Sequence, residues 1–199
     1  VLLGVLVLLL MVLAVTGMLV QLGHGYTHLE PGLWAFHLGA LTLPDLAMIS
    51  ALAFVVHLSI NHKHLGHFVM VLFFAAGSFR GQLGLDHNLL YLGADPGVTY
   101  SDMNGFGHFL GPIAWFRAYW GAWLLLLVVG CGLLVVRGRE TAWKRRLSTA
   151  RTRFDGASRW SLLAAALLVA ALGGWLFFNT NVVNAYETRF DGEAHQADY

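Results

Sequence analysis

Five charge-poor, apolar stretches follow one another along this chain, and only one of the segments between them is strongly basic. That segment, residues 137–159, contains eight Lys or Arg residues and only two acidic residues, Glu140 and Asp155. Short connections rich in Lys and Arg stay on the cytoplasmic side of a membrane. The pattern therefore predicts an integral membrane chain that the basic segment orients. Its cations are Arg137, Arg139, Lys144, Arg145, Arg146, Arg151, Arg153 and Arg159.

The apolar runs predict an all-α integral membrane protein, a bundle of about five transmembrane helices. The chain is 57% hydrophobic and 12% charged, whereas an ordinary soluble domain carries about 25% charged residues. A short helix that lies at the membrane surface or re-enters the membrane is expected over 34–38, between Pro31 and Pro44. The bundle is expected to occupy 1–179 and to be followed by a tail, 180–199. The predicted spans are about 1–22, 46–60, 65–82, 113–136 and 160–178.

Five crossings give one orientation in which every connection follows the positive-inside tendency. Residues 137–159 and Lys63 are then cytoplasmic. The polar excursion 85–112 and the acidic tail 180–199 are extracytoplasmic. Because the chain begins directly in apolar residues without a basic leader, we expect it to be a segment of a longer protein.

Ionisable groups near the predicted outer boundary are candidates for function, because such groups are costly at membrane depth. Arg117 lies within a predicted aromatic belt from Trp115 to Trp120, so it either snorkels to lipid headgroups or pairs with Asp86 or Asp102. The candidates at this boundary are Asp86, His87, Asp102, His108 and Arg117.

The basic segment has apolar residues at helical spacing between its cations, from Trp143 to Phe154. This pattern is typical of an amphipathic helix on an anionic membrane surface. A docking helix for a cytoplasmic partner is the alternative. The residues expected to contact lipid or partner are Trp143, Lys144, Arg145, Arg146, Arg151 and Arg153.

The ten histidines raise the question of a metal or haem site. His24 and His28 would share a helical face, and Glu30 could join them, but three ligands in tetrahedral array are not fixed. We therefore favour interfacial polar residues there. A second group of histidines is His57, His62, His64 and His67. We favour a polar turn for this group, since a haem needs facing histidines on separate spans.

Several functions are disfavoured by missing motifs. The sequence has no GxxxxGK[ST], HExxH or GxSxG, so no catalytic residue is assigned. No basic patch with interleaved aromatic residues is expected to face water, so nucleic acid is not an expected partner. The single cysteine, Cys131, is expected to be a small buried packing residue.

Long motifs of the chain resemble a family of large bacterial membrane proteins that fuse an ABC-transporter-type permease to a zinc aminopeptidase-like domain. They are HGYTHLEPGLW (24–34), HLGHFVMVLFF (64–74), LDHNLL (85–90), PGVTYSDMNGFGHFLGP (96–112), WFRAYW (115–120) and FFNTNVVNAYET (177–188). The resemblance implies that the chain is the later membrane half of the permease. It implies ATP on a separate cytoplasmic ATPase subunit, zinc on a domain after the tail, and no cofactor within this segment.

The expected function is therefore the membrane-spanning part of an ABC-type permease in the bacterial inner membrane. Membrane lipids, an ATPase subunit, and a homo-oligomer or larger membrane complex are the expected partners. Two alternatives stay open: a histidine-rich membrane metal or haem protein, and a plain anchor for the peptidase-like domain.

Overall fold

The computed structural model describes residues 1–60, 62–85, 87–101, 103, 105–134 and 143–184. Within these ranges the chain is all-helical, with no strand beyond an isolated bridge between Ser101 and Gly105. Four helical segments of the described chain are long and apolar enough to cross a membrane. They are Leu2–Gly23, Pro31–Ile60, Phe109–Leu134 and Gly156–Val183. The fold class is thus confirmed as all-α, with four candidate spans.

The chain divides into two compact units, and the division falls after Ala51. The first unit holds helix α1 (Leu2–Gly23), the short helix α2 (Pro31–Phe36), a π-helical turn π1 (His37–Thr42) and the start of helix α3 (Leu43–Ile60). Trp34 of α2 packs against Gly17 of α1, where any Cβ would lie 2.5 Å from the ring. No residue of α1 is buried, as expected for an uncharged helix that faces lipid or other spans.

The predicted break at Pro44 is wrong. The chain is helical without interruption from Pro31 to Ile60, so residues 34–38 are not a separate short helix. Proline normally clashes with the carbonyl one turn earlier. Here Pro44 follows directly on π1, in which Leu43 N–H bonds to Leu38 O, and the wider turn relieves that clash.

The second unit begins at Leu52 and contains the rest of α3 together with helix α4 (Lys63–Ser78). His62 caps α4 through a hydrogen bond from Leu65 N–H to its Nδ1, 3.3 Å. At about 1.5 Å per residue α4 is about 24 Å long, less than a hydrocarbon core of about 30 Å. It is therefore a shorter apolar helix than the predicted span 65–82. Bonds from Phe79 N–H to Ala75 O and from Leu83 N–H to Phe79 O continue its path as turns.

The core of the second unit forms between helix α5 (Gly107–Leu134) and helix α7 (Gly156–Phe177). Tyr119 of α5 packs on Gly173 of α7, where a Cβ would come within 3.0 Å of its ring. Asp155 begins α7 by accepting a hydrogen bond from Ser158 N–H, 2.9 Å. These two helices correspond to the predicted spans 113–136 and 160–178.

A second π-helical turn, π2 (Phe178–Val183), continues α7 beyond the predicted end of the bundle. The first residues of the predicted tail, 180–183, are therefore helical. The remainder of that tail, 185–199, lies outside the described residues.

Candidate functional site

The polar loop, residues 85–106 without 86, 102 and 104, is fastened to α4 by Tyr91. The Tyr91 hydroxyl donates to Phe73 O, 3.1 Å, and its ring stacks on the Phe73 ring with centroids 4.7 Å apart. Gly77 makes room, since a Cβ there would collide with the Tyr91 hydroxyl. Burial raises the pKa of Tyr91 and nearby Arg80 lowers it, with burial the larger effect. The neutral hydroxyl is thus kept as a donor.

The same loop is fastened to α5 by two adjacent aromatic residues. Trp120 Nε1 donates to Ala94 O at 2.9 Å, and both residues are buried. The Tyr119 hydroxyl reaches Leu89 O at 3.5 Å. Buried Trp and Tyr usually satisfy their polar tips in this way. A wide loop thereby acquires a fixed position on the helices.

Turn residues shape the loop between these anchors. Asp95 Oδ1 accepts from Gly97 N–H at 2.9 Å, and Gly97 has φ +79°, as is usual for glycine in a turn that begins Asp-Pro-Gly. Ser101 and Gly105 exchange two backbone hydrogen bonds. This closed turn leaves the Met103 side chain 98% exposed, so an apolar group is displayed to the surroundings at its tip.

His87 joins the loop to the end of the α7–π2 segment. Its Nε2 lies 3.1 Å from Asn181 Nδ2, and its Nδ1 accepts from Leu89 N–H, also at 3.1 Å. Burial lowers the pKa of His87, while the contact with Asn181 raises it by less. Protonation at Nδ1 would also break the bond from Leu89. The neutral ring is therefore the form that fits this place.

The other candidates at this boundary are only partly visible. Asp86 and Asp102 lie outside the described residues, so the proposed pairing of Arg117 with either stays a prediction. The backbone of His108 is in the first turn of α5, and its side chain is outside the described part. Arg117 lies half-buried on α5. Of the five candidates, His87 is brought into described contacts within the loop and with Asn181.

The basic segment does form a helix where its spacing indicated one. Helix α6 (Trp143–Arg153) carries exposed Arg151, Arg153 and Leu147. The side chains of Trp143, Lys144, Arg145 and Arg146 lie outside the described residues, as do residues 135–142 entirely. Whether α6 contacts lipid or a protein partner therefore stays a prediction.

The weak metal candidates of the first unit are not on one helical face. Helix α1 ends at Gly23, and Gly25 has φ +82°, so His24 and His28 do not share a turn. His28 Nε2 and Glu30 Oε1 are 3.9 Å apart, at side chains 84% and 48% exposed. Among the described residues no three His, Cys, Asp or Glu side chains converge on one point.

Two histidines from different helices do meet beside the α3–α4 turn. The rings of His57 and His67 are 4.8 Å apart, edge to face. Two imidazoles on opposite sides of one metal ion, with bonds of about 2.1 Å, have ring centres roughly 6.5 Å apart. The pair is therefore too close for the two axial ligands of a haem.

The expected burial of Cys131 is wrong, because the residue is partly exposed. Its Sγ contacts Ser59 Oγ on α3 at 3.2 Å.

The anchoring roles of Tyr91, Tyr119, Trp120 and Asn181 were missed by the sequence reasoning. The aromatic belt predicted from Trp115 to Trp120 fits the 47% exposed Trp115 but not the buried Trp120. Spacing on one helix was the available signal, since Trp115 and Trp120 cannot face the same way.

Comparison with family models, curated proteins and solved structures finds no match to this chain.

Proposed function

We propose that this chain is the membrane-spanning part of an ABC-type permease of the bacterial inner membrane. The observation that carries the proposal is a set of apolar helices joined by one basic segment and one polar loop of fixed position. A loop held by buried aromatic donors is more than a connection between spans. It offers a defined surface on which an outer domain can rest.

The proposed path crosses the membrane five times, with α4 as the short crossing. Helix α4 and the turns that continue it to residue 85 provide the extra length that its 16 residues lack. Five crossings keep Lys63 and α6 in the cytoplasm and place the polar loop and residues after 184 outside. The resemblance of the motifs supports a zinc peptidase-like domain beyond the tail.

Coupling to an ATPase is the functional core of the proposal. Helix α6, with its exposed Arg151 and Arg153, is the contact that we assign to the ATPase or to the lipid beside it. The chain, with its flanking sequence, should co-purify from mild detergent with a nucleotide-binding subunit. Arg151→Glu with Arg153→Glu should reduce that subunit several-fold, whereas Arg159→Glu, on α7, should not.

A plain anchor is separated from a permease by replacing the spans. An anchor predicts that one unrelated transmembrane helix preserves all activity of the outer domain. A permease predicts loss of ATP-dependent activity in that replacement. Purification without any ATPase, under conditions that retain other membrane complexes, would contradict the coupling.

A further inference from the structure

His57 on α3 has one ring nitrogen bonded to the backbone and one without a partner among the described residues. Its Nδ1 lies 2.8 Å from Ala53 O, and a carbonyl can only accept, so Nδ1 carries the proton. Its Nε2 then presents a lone pair. That atom is buried and has no hydrogen-bond partner within the described ranges. Metal-binding histidines are oriented by this kind of bond from the other ring nitrogen to a backbone carbonyl.

Gly66 fixes the position of this free nitrogen against α4. A Cβ on Gly66 would lie 2.9 Å from His57 Cδ2 and 3.1 Å from Nε2. The ring therefore rests directly on the α4 backbone, beside the next residue, His67. Both the tautomer and the position of His57 are set by its neighbours before any ligand arrives.

The distance to His67 suits two neighbouring ligands of one ion. With bonds of about 2.1 Å and ligand angles from 90° to 109°, ring centres lie roughly 4.6–5.3 Å apart. The observed separation is 4.8 Å. His67 is exposed, so its ring can turn a nitrogen toward the ion at little cost.

We infer that His57 and His67 form a two-histidine site for a divalent transition-metal ion such as Zn²⁺, which joins α3 to α4. Imidazole ligands suit Zn²⁺, Cu²⁺ and Ni²⁺, whereas Mg²⁺ and Ca²⁺ require oxygen ligands. No group of three ligand side chains exists in the described part of the chain, so water completes the coordination. Affinity is accordingly weaker than at a closed four-ligand site.

The test is titration of the purified full chain in detergent with Zn²⁺, measured by calorimetry. We expect saturable binding that His57→Ala and His67→Ala each weaken about tenfold or more. His28→Ala is the matched control, because His28 is exposed and lies in the first unit. It should leave the binding at this site unchanged. Circular dichroism of the helices checks that each variant is folded. If His57→Ala does not fold, His67→Ala still tests the site, because His67 is exposed.

Gly66→Ala separates the site from a merely histidine-rich surface. The added methyl displaces the His57 ring without removing either ligand, so Zn²⁺ binding should weaken several-fold. Zn²⁺ should also raise the melting temperature of the unaltered chain but not of His67→Ala. The inference is overturned if the unaltered chain does not bind Zn²⁺. It is equally overturned if His67→Ala binds Zn²⁺ as the unaltered chain does.

Discussion

Trp120 illustrates how single residues determine the position of the polar loop. Trp120 is buried on α5, and its indole N–H donates a hydrogen bond to the Ala94 carbonyl. Composition alone placed this residue in an aromatic belt with Trp115, since belts and anchors contain the same residue types. Which aromatic side chain turns inward depends on the loop that packs on it, and that loop is distant in sequence. Helical spacing shows that Trp115 and Trp120 face different ways, but it does not show which of them anchors the loop.

Trp120→Phe should destabilise the folded loop by about 1–3 kcal/mol, because a buried Ala94 carbonyl loses its donor. The measurement is unfolding in detergent, together with the rate of proteolysis within residues 87–101. Trp115→Phe is the control, on the same helix but 47% exposed. Equal effects of the two substitutions would contradict the anchoring role of Trp120.

His87 gives the loop a dependence on pH. Burial lowers its pKa below the ordinary value of histidine, 6.5, so the unfolded chain binds the proton more readily than the folded chain. The stabilising contribution is therefore complete above about pH 6.5 and is lost as the pH falls below that value. In His87→Gln this loss should be absent. Parallel loss of stability in both proteins between pH 7 and 5 would refute the assignment.

At the scale of elements, helices were easier to predict than their ends. Long, charge-poor apolar runs predict α1, α5 and α7, because backbone groups in a membrane must be satisfied within the helix. The end expected at Pro44 is absent, since the turn π1 accommodates the proline. Such turns leave no periodic signal in the sequence. The contact of the His57 ring with Gly66 of α4 is also a tertiary contact that spacing does not reveal.

Packing of the loop on α4 depends on Gly77. Gly77→Ala should cost about 1–3 kcal/mol by overpacking, because the new methyl collides with Tyr91. The loop should become more susceptible to protease. Gly121→Ala, with open space at its Cβ position in α5, should be neutral or slightly stabilising. A silent Gly77→Ala would mean that Tyr91 is not held there.

At the scale of the whole molecule, the number of crossings determines the side of the membrane on which residues 24–30 lie. Four described segments are long enough to span a membrane, and α4 is shorter. If α4 also crosses, Thr27 and the neighbouring residues 24–30 face the outside. If α4 does not cross, residues 24–30 face the cytoplasm, while the side of α6 is unchanged. The sequence favours the first arrangement because it keeps Lys63 inside.

Thr27→Cys tests this count directly. Since Cys131 is the only cysteine of the chain, Cys131→Ser provides a background without other thiols. We expect an impermeant maleimide to label Thr27→Cys in intact spheroplasts. Labelling that requires permeabilisation would instead indicate four crossings.

The same background carries the most direct test of the central claim, that the polar loop and the basic helix lie on opposite sides of a membrane. Met103 is 98% exposed at the loop tip, and Ser148 is exposed on α6, so each is replaced by cysteine. The account predicts that the impermeant maleimide labels Met103→Cys in intact spheroplasts and Ser148→Cys only after permeabilisation. Labelling of both from the same side would contradict it.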